Sequence, residues 1–283
     1  MPESPSSSVQ RARKQLAERL RDLRLDAGLS GRDLSAAAGW HPAKTTRIEL
    51  AKQAASDADI VTWCQVCHAE REAPDLIAAS RIADSAYVEY RRLNLGGMKR
   101  RQEAVRPLYQ RTALFKAYCP SVVPGWLQTP GYATALLSSI TEFRGTPDDV
   151  AEAVTARMRR NSIVTSGDHR FALLLEETVL RYRIGGAEVM AGQLARLLEA
   201  TSMPEVSLGV IPAAAPERPA WPVEQFTIFD DERVSVELLS AQVTVTAPSE
   251  VTLYVRAFER LARLAVYGEA GQALISDAIT ALG

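Results

Sequence analysis

Residues 29–50 read LSGRDLSAAAGWHPAKTTRIEL, and this stretch predicts two short helices joined by a tight turn. Ser30 is a typical N-cap residue, and it precedes a helix that we expect over residues 32–38. Gly39 allows the left-handed backbone conformation in which helices commonly end. The next helix is expected over residues 42–50, because it begins with a proline, which suits the first helical position.

Amphipathic helices are predicted on both sides of this pair. Ser56 is followed three residues later by Asp59, which is typical of a capping box and predicts a fourth helix. Before the pair, apolar residues recur at helical spacing within residues 11–27, and they are Leu16, Leu20, Leu23 and Ala27. We therefore expect a mainly α domain over residues 11–72, preceded by a disordered leader over residues 1–10.

The order helix, turn, helix is that of a helix-turn-helix motif, whose second helix can enter the major groove of DNA. The segment resembles the Xre type of this motif, which implies a lambda-repressor-like fold. In that resemblance Lys44 and Arg47 face the groove, and the Arg47 guanidinium suits a bidentate contact to guanine. The other implied contacts to bases or phosphates are Arg32, Ala43, Thr46 and Lys52. The alternative is that these are surface charges on a helical module that binds protein.

The charge distribution agrees with a DNA-binding domain at the N-terminus. Residues 1–55 contain 10 basic and 6 acidic side chains, whereas the whole chain has a net charge of -1. Neutralising phosphates requires local positive charge, so we expect any contact with nucleic acid in this first part of the chain.

Several features predict a cytoplasmic protein without a membrane segment. The start of the chain lacks the unbroken apolar stretch of a secretory leader. The long uncharged stretch over residues 117–141 contains three prolines, which argues against a transmembrane helix. Cys64, Cys67 and Cys119 are odd in number, so we expect free thiols rather than a disulfide framework.

The rest of the chain predicts two further regions. Helical patterns over residues 74–93 and 98–118 suggest a helical connector at residues 73–118. Beyond it, short apolar runs alternate with helical patterns, so we expect an α+β domain over residues 119–283. The expected strands are 170–175, 206–211, 225–229 and 234–238, and the expected helices are 148–163, 187–200 and 251–266.

The run VPGWLQTPGYA at residues 123–133 resembles the opening of a C-terminal domain of unknown function found behind Xre-type modules in actinobacterial regulators, including WhiJ-like regulators. The resemblance continues through Arg157, Arg160, Glu177 and Glu237. It implies a small protein partner encoded beside the regulator, in an antitoxin-like pair or a developmental switch.

Seven residues of the C-terminal domain are candidates for binding a partner or ligand. Trp126 and Tyr132, next to Pro-Gly pairs, are either core residues or interface anchors. Arg157 and Arg160 lie three residues apart and could pair with acidic side chains or bind an anion. Trp221 belongs to a proline-containing loop that could contact a ligand. The acidic candidates are Glu177 and Glu237.

We expect no catalytic residues, no metal site and no cofactor. Residues 64–68 match the C-x-x-C-H haem-attachment pattern, but the cysteines fall inside a capped helix, where small buried residues are expected. Zinc would need a fourth ligand that the sequence does not supply.

The sequence thus predicts a homodimeric transcriptional regulator that binds double-stranded operator DNA. The nearer alternative is a repressor gated by a small molecule, with a pocket that includes Trp126, Tyr132 and Trp221. The remote alternative is a cryptic enzyme that uses Arg157, Glu177 and Glu237.

Overall fold

A computed structural model describes residues 5–82, 87–89, 97–214, 217–239 and 241–283. The chain divides into two compact units. The first comprises Met1–Tyr87 and Val245–Glu250, and the second comprises Val88–Thr244 and Val251–Gly283.

Helices build the first unit, as the sequence predicts. Both predicted N-caps are confirmed, because the Ser30 and Ser56 side chains accept hydrogen bonds inside complete capping boxes. The helices are α1 (Pro5–Asp26), α2 (Gly31–Ala37), α3 (Pro42–Glu49), α4 (Asp57–Val66) and α5 (Ala73–Ile82), with a 3-10 turn at Glu70–Glu72. Their shared core includes Leu20, Leu23, Leu34, Ile48, Ile60 and Trp63.

A seven-stranded mixed sheet organises the second unit. The strands are β1 (Tyr87–Glu89), β2 (Leu114–Cys119), β3 (Arg170–Glu176), β4 (Val206–Ile211), β5 (Phe226–Phe229), β6 (Arg233–Glu237) and β7 (Ala241–Val245), in the order β1-β7-β6-β5-β2-β3-β4. Strand β2, inside the sheet, runs parallel to β3 and antiparallel to β5. Strand β3 is parallel to β4, whereas β5 and β6 are antiparallel.

Helices surround this sheet in two groups. The helices are α6 (Gly97–Ala104), α7 (Arg106–Arg111), α8 (Pro130–Arg144), α9 (Val150–Asn161), α10 (Gly186–Ala200), α11 (Pro248–Ala262) and α12 (Gly268–Thr280). Short 3-10 turns occur at Gly125–Leu127, Ser162–Val164 and Glu177–Leu180. Helices α10 and α12 pack against each other, and α12 contacts β4. Helix α9 packs against α6 and α8.

The fold class is confirmed as a mainly α helix-turn-helix unit followed by helices and an α+β unit. The four expected C-terminal strands form, at 170–176, 206–211, 226–229 and 233–237. Among the described residues, no helix is long and apolar enough to cross a membrane. Residues 117–141, in particular, comprise the end of β2, a 3-10 turn and most of α8.

The described residues differ from the expected organisation in two places. The expected leader at residues 1–10 is helical from Pro5, and residues 1–4 lie outside the described residues. The expected helical connector at residues 73–118 is not one helical region. Tyr87–Glu89 and Leu114–Cys119 are strands, and the boundary between the units falls after residue 87. The expected helical residues 83–86 and 90–93 lie outside the described residues.

Candidate functional site

The inner face of α3 is fixed by buried contacts with the rest of the first unit. Thr45 and Ile48 are both buried. The Thr45 hydroxyl lies 2.6 Å from the hydroxyl of Ser35 on α2, and the Ser35 hydroxyl also donates to the carbonyl of Gly31 at 2.8 Å. These hydrogen bonds satisfy two buried hydroxyls and set the rotation of α3 against α2. The opposite face of α3 is left toward solvent.

The start of α3 has an N-cap that the sequence pattern did not identify. His41 precedes the helix, and its Nδ1 atom accepts a hydrogen bond from the backbone N–H of Ala43 at 3.2 Å. A histidine nitrogen thus does what a hydroxyl or amide does in most N-caps. Pro42 occupies the first helical turn as predicted.

The end of α3 is held by a buried ion pair between Arg24 on α1 and Glu49. The Arg24 Nε donates to Glu49 Oε1 at 2.6 Å, and Nη2 donates to Oε2 at 3.1 Å. The third arm of the guanidinium, Nη1, donates to the carbonyl of Leu29 at 2.7 Å, in the segment between α1 and α2. The hydrogen bond to Glu49 raises the pKa of Arg24. One side chain therefore joins three parts of the motif.

The exposed face of α3 carries the residues that were predicted to contact DNA. Ala43, Thr46 and Arg47 are exposed there. Arg32 at the start of α2 and Lys52 just beyond α3 are exposed as well. The Arg47 side chain makes no hydrogen bond or ion pair with the residues that the structure describes, so its donors face solvent. Such a helix face can enter a major groove, and the roles of these residues remain predictions.

Lys44 differs from the other predicted contacts because the protein itself binds its ammonium group. The Nζ atom donates to Asp59 Oδ1 on α4 at 2.6 Å and lies 4.3 Å from the centre of the Trp40 ring. A contact between Lys44 and DNA would have to replace an ion pair and a cation–π contact. Helical spacing cannot predict this arrangement, because Asp59 comes from a different helix.

In the second unit, Trp126 and Tyr132 are core residues. Trp126 is buried, and its ring lies 5.5 Å from Phe115 and 5.8 Å from Phe171, between ring centres. The buried hydroxyl of Tyr132 accepts a hydrogen bond from the backbone N–H of Val123 at 3.2 Å. Neither ring is available to a partner at the surface, so the core alternative is the correct one for both.

Arg157 and Arg160, which could pair with acidic side chains by their sequence, make no ion pair with Glu177 or Glu237 in the described part of the chain. Both arginines instead donate to the side-chain oxygen of Gln102 on α6. The reason is the packing of α9 on α6, which places an amide from a distant part of the chain between the guanidinium groups.

The two glutamates have other partners. Glu177 accepts from Arg181 at 3.2 Å and from the backbone N–H of Ala213 at 3.0 Å. Glu237 accepts from Arg101 at 3.1 Å. Glu237 still acts electrostatically on Arg157, whereas Glu177 makes no hydrogen bond or ion pair with either arginine in the described part of the chain.

Trp221 is the one C-terminal aromatic candidate that lies at the surface, with 72% of its area exposed. The segment that carries it is anchored by Arg218, whose guanidinium donates to both oxygens of Glu176. Glu176 is buried and also accepts from the hydroxyl of Tyr118 at 2.6 Å. This buried network was not predicted, and it holds one side of the Trp221 segment against the sheet.

Trp221 lines a groove of about 410 Å³ between this segment and α11. The Tyr254 hydroxyl donates to Glu224 Oε1 at 2.7 Å, which connects the two walls. Leu253 on α11 has 59% of its area exposed. The groove is lined by Ala220, Trp221, Val223, Glu224, Leu253, Tyr254, Arg256, Ala257, Arg260 and Leu261. It thus combines exposed apolar side chains with two arginines and one glutamate.

Metal binding has no assembled site in the described part of the chain, where no three His, Cys, Asp or Glu side chains are placed to hold an ion. Cys64, Cys67 and Cys119 are free and buried, as the cysteine count predicts.

Two family models match the chain. Residues 15–76 match a helix-turn-helix domain, which indicates a DNA-binding regulator. Comparison with curated proteins and with solved structures gave no significant match. Residues 109–277 match the domain of unknown function DUF5753, and the chain therefore belongs to the family of proteins that contain this domain.

Proposed function

We propose that this protein is a transcriptional regulator that binds double-stranded operator DNA in a sequence-specific way. The observation that carries the proposal is the outer face of α3, where Arg47, Thr46 and Ala43 are exposed while Thr45 and Ile48 fix the inner face. A helix held so rigidly, with a free guanidinium on its outer side, suits insertion into a major groove.

Each exposed residue has a proposed role. Arg47 makes a bidentate contact to the major-groove edge of guanine, and Ala43 contacts a thymine methyl group. Thr46 contacts a base or a phosphate. Arg32 and Lys52 contact phosphates on either side and fix the register of the protein on the duplex.

We also propose that the protein acts as a homodimer in the cytoplasm. One recognition helix reads only a half-site, and specific affinity normally requires two helices about 34 Å apart along the duplex. The operator would then be an inverted repeat.

The C-terminal domain is proposed to bind a small protein encoded by a neighbouring gene, as the resemblance to WhiJ-like actinobacterial regulators implies. The groove beside Trp221 supports this role, because tryptophan and arginine side chains are typical of interface anchors. The groove is lined by two arginines, Arg256 and Arg260, and by one glutamate, Glu224, so its charged side chains are mostly positive. We therefore expect the partner to dock an apolar segment that carries acidic residues. The system would be antitoxin-like or a developmental switch.

A titration of the purified chain against its own upstream DNA, at two salt concentrations and with or without the neighbouring protein, tests this proposal. Specific binding that weakens at higher salt and is shifted by the neighbour supports both parts of it. Specific binding that ignores the neighbour contradicts the partner role and favours gating by a small molecule, for which the groove volume is also suitable. Absence of specific binding contradicts the regulator itself and favours a protein-contact module.

The groove can be tested separately with Leu253→Glu. Because this change puts a negative charge on an exposed apolar wall, we expect it to weaken binding of the neighbouring protein at least tenfold while DNA affinity is unchanged. Leu239→Glu is the matched control, since Leu239 is 75% exposed and does not line the groove. Equal effects of the two substitutions would exclude the groove as the docking surface.

We propose no enzymatic activity. Supporting this, Arg157, Glu177 and Glu237 have different hydrogen-bond partners. Turnover of a substrate by the purified chain would contradict this proposal, and its loss in Glu177→Gln or Glu237→Gln would assign the activity to these residues.

A further inference from the structure

Two guanidinium groups of the second unit lie side by side, and no carboxylate of the described residues forms an ion pair with either of them. Arg157 Nε and Arg160 Nη1 both donate to Gln102 Oε1, at 3.2 and 2.8 Å. Arg157 Nη1 also donates to the side-chain oxygen of Gln128. Both glutamines are buried. Their amide oxygens are neutral, so they satisfy N–H groups without supplying a negative charge, and Arg160 also lies 5.2 Å from the centre of the Tyr109 ring.

The surrounding charges do not correct this imbalance. Glu237 contributes to the electrostatic potential at Arg157, but its bonded partner is Arg101, at 3.1 Å. Arg101 itself adds a further positive charge to the group. Burial and the neighbouring charge of Arg160 lower the pKa of Arg157 to about 10. The guanidinium groups of Arg101, Arg157 and Arg160 thus lie near one carboxylate, that of Glu237. The excess positive charge acts on Arg157, whose pKa it helps to lower.

Hydrogen-bonding groups next to Arg160 are also unfilled. Within the described part of the chain, the buried atoms Arg160 Nε and Asn161 Oδ1 have no hydrogen-bond partner. The Asn161 amide nitrogen donates to the carbonyl of Gly125 at 2.7 Å. A Cβ atom at Gly125 would lie 3.2 Å from Arg160 Nη2, so the glycine is what allows the backbone to come this close to the guanidinium. Of these two atoms only Arg160 Nε is a donor, whereas the Asn161 oxygen is an acceptor, and buried donors normally have a hydrogen-bond partner.

We propose that Arg157 and Arg160 form a binding site for an oxyanion, either a carboxylate or a phosphate. The planar fork of a guanidinium matches two oxygens of such a group, and the unfilled Arg160 Nε supplies a further donor. A negative charge placed here also neutralises the excess positive charge in a partly desolvated setting, where the attraction is stronger than in water. Each arginine as a whole is only partly buried, although the Nε atom of Arg160 is itself buried. The site is independent of the DNA-binding face on α3.

Thermal unfolding of the full chain tests the site, with inorganic phosphate, succinate and chloride compared at equal ionic strength. We expect phosphate or succinate to raise the unfolding midpoint by several degrees in a saturable manner, while chloride does not, because a ligand that binds only the folded state stabilises it. A response to phosphate alone identifies a phosphate site, and a response to succinate alone identifies a carboxylate site.

Two variants separate binding from general effects of charge. Arg160→Gln removes one guanidinium of the site, and Arg159→Gln removes an exposed one from the same helix. The midpoint shift should disappear in the first variant and persist in the second. Arg160→Lys keeps the charge but lacks the fork, and we expect it to retain only a minor part of the shift. No saturable response of the natural chain, or equal responses in Arg160→Gln and Arg159→Gln, would overturn the proposal.

Discussion

At the scale of single residues, Glu49 has a structural role in a position that looks functional. It lies on α3 beside Arg47, but its carboxylate is bound by Arg24, and the side chains of Arg24 and Glu49 are only 9% and 14% exposed. A buried pair of this kind is costly to break, because the remaining charge keeps its desolvation penalty without its partner. Arg24 therefore links α1, the segment before α2 and the end of α3.

Glu49→Ala should destabilise the first unit by about 3–5 kcal/mol, because it leaves the Arg24 guanidinium buried without a counter-charge. Urea unfolding followed by tryptophan fluorescence measures the change, since Trp40 and Trp63 lie in this unit. Arg19→Ala is the control. It breaks an exposed ion pair with Glu72, for which we expect a loss of about 0–1 kcal/mol. Similar losses in the two variants would contradict the structural role of Glu49.

Arg47→Ala should abolish sequence preference while the fold and thermal stability remain unchanged, because this side chain is exposed and unbonded within the described residues. We expect a loss of about 1–3 kcal/mol in discrimination between the operator and a variant with one altered guanine. Competition binding with the two duplexes measures it. Lys52→Ala should instead weaken binding to both duplexes equally. It should also reduce the slope of log affinity against log salt concentration by about 1, as the loss of one phosphate contact predicts. Unchanged operator affinity of Arg47→Ala would exclude the assigned contact.

The sequence predicts the exposed face of α3 well, but it cannot predict which of its cations are already bound. Helical spacing places Lys44 and Arg47 on one side, and capping signals fix where α3 and α4 begin. The partners of Lys44 are Asp59 and Trp40, which no spacing rule connects to it. Arg157 and Arg160 illustrate the same limit, since their partner Gln102 comes from another helix.

At the scale of elements, two glycines show how the same substitution can have opposite effects. Gly209 lies in β4, and a Cβ atom there would lie 2.7 Å from the Tyr267 ring and 2.9 Å from the Ala265 side chain. Gly192 lies within α10, and a Cβ atom there would meet nothing within 4 Å. The strand glycine is thus required by close packing, whereas the helix glycine only adds flexibility to the unfolded chain.

Gly209→Ala should destabilise the second unit by about 1–3 kcal/mol because of overpacking. Gly192→Ala should stabilise it by about 0.4–1 kcal/mol, because alanine restricts the unfolded state and suits a helix. Chemical denaturation of both variants checks the pair. A stabilising Gly209→Ala would show that the strand and Tyr267 can move apart.

Strand β2 is the element that the sequence interpretation placed in the wrong class. Residues 98–118 were expected to be helical, but Leu114–Cys119 pairs with a strand on each side. Its start is fixed by Asp230, whose carboxylate accepts from the backbone N–H groups of Ala113 and Leu114 at 2.9 and 2.8 Å. Short apolar runs fit a strand or a buried helix equally well, and here distant pairing decides the outcome. The strands at 170–176, 206–211 and 226–229 were predictable because turn residues delimit them.

At the scale of the whole molecule, the three thiols are internal reporters of unfolding. Cys64 and Cys67 lie in the first unit and Cys119 lies in the second, and all three are buried. Burial raises the pKa of the Cys64 thiol to about 11, and it raises the pKa of the Cys67 and Cys119 thiols as well. A thiol that is both buried and protonated reacts slowly with alkylating reagents.

We expect all three thiols to resist alkylation in the folded protein at neutral pH and to react rapidly in denaturant. Mass spectrometry of the labelled peptides then reports the opening of each unit at its own cysteines. Rapid labelling of Cys64 under native conditions would contradict its burial.

Stability of the first unit should fall as the pH rises from about 9 to about 11. The unfolded Cys64 thiol, with a pKa of 9.0, loses its proton in this range, whereas the folded thiol keeps it until its pKa of about 11. Folding therefore becomes progressively less favourable through this window. Unfolding midpoints of the natural chain and Cys64→Ala, compared across it, measure the effect. Parallel pH profiles would exclude a contribution from this thiol.

Strand β2 lies between β5 and β3 in the sheet, and this placement has a consequence for the synthesis of the chain. The ribosome releases β2 before either of its neighbours, because β3 begins at Arg170 and β5 at Phe226. When the chain has left the ribosome only as far as residues 212–225, β2 can pair with β3 but its other edge is open. An open apolar edge is where partly folded chains associate. We therefore expect slower translation of this stretch to increase the fraction of chains that associate before the sheet closes.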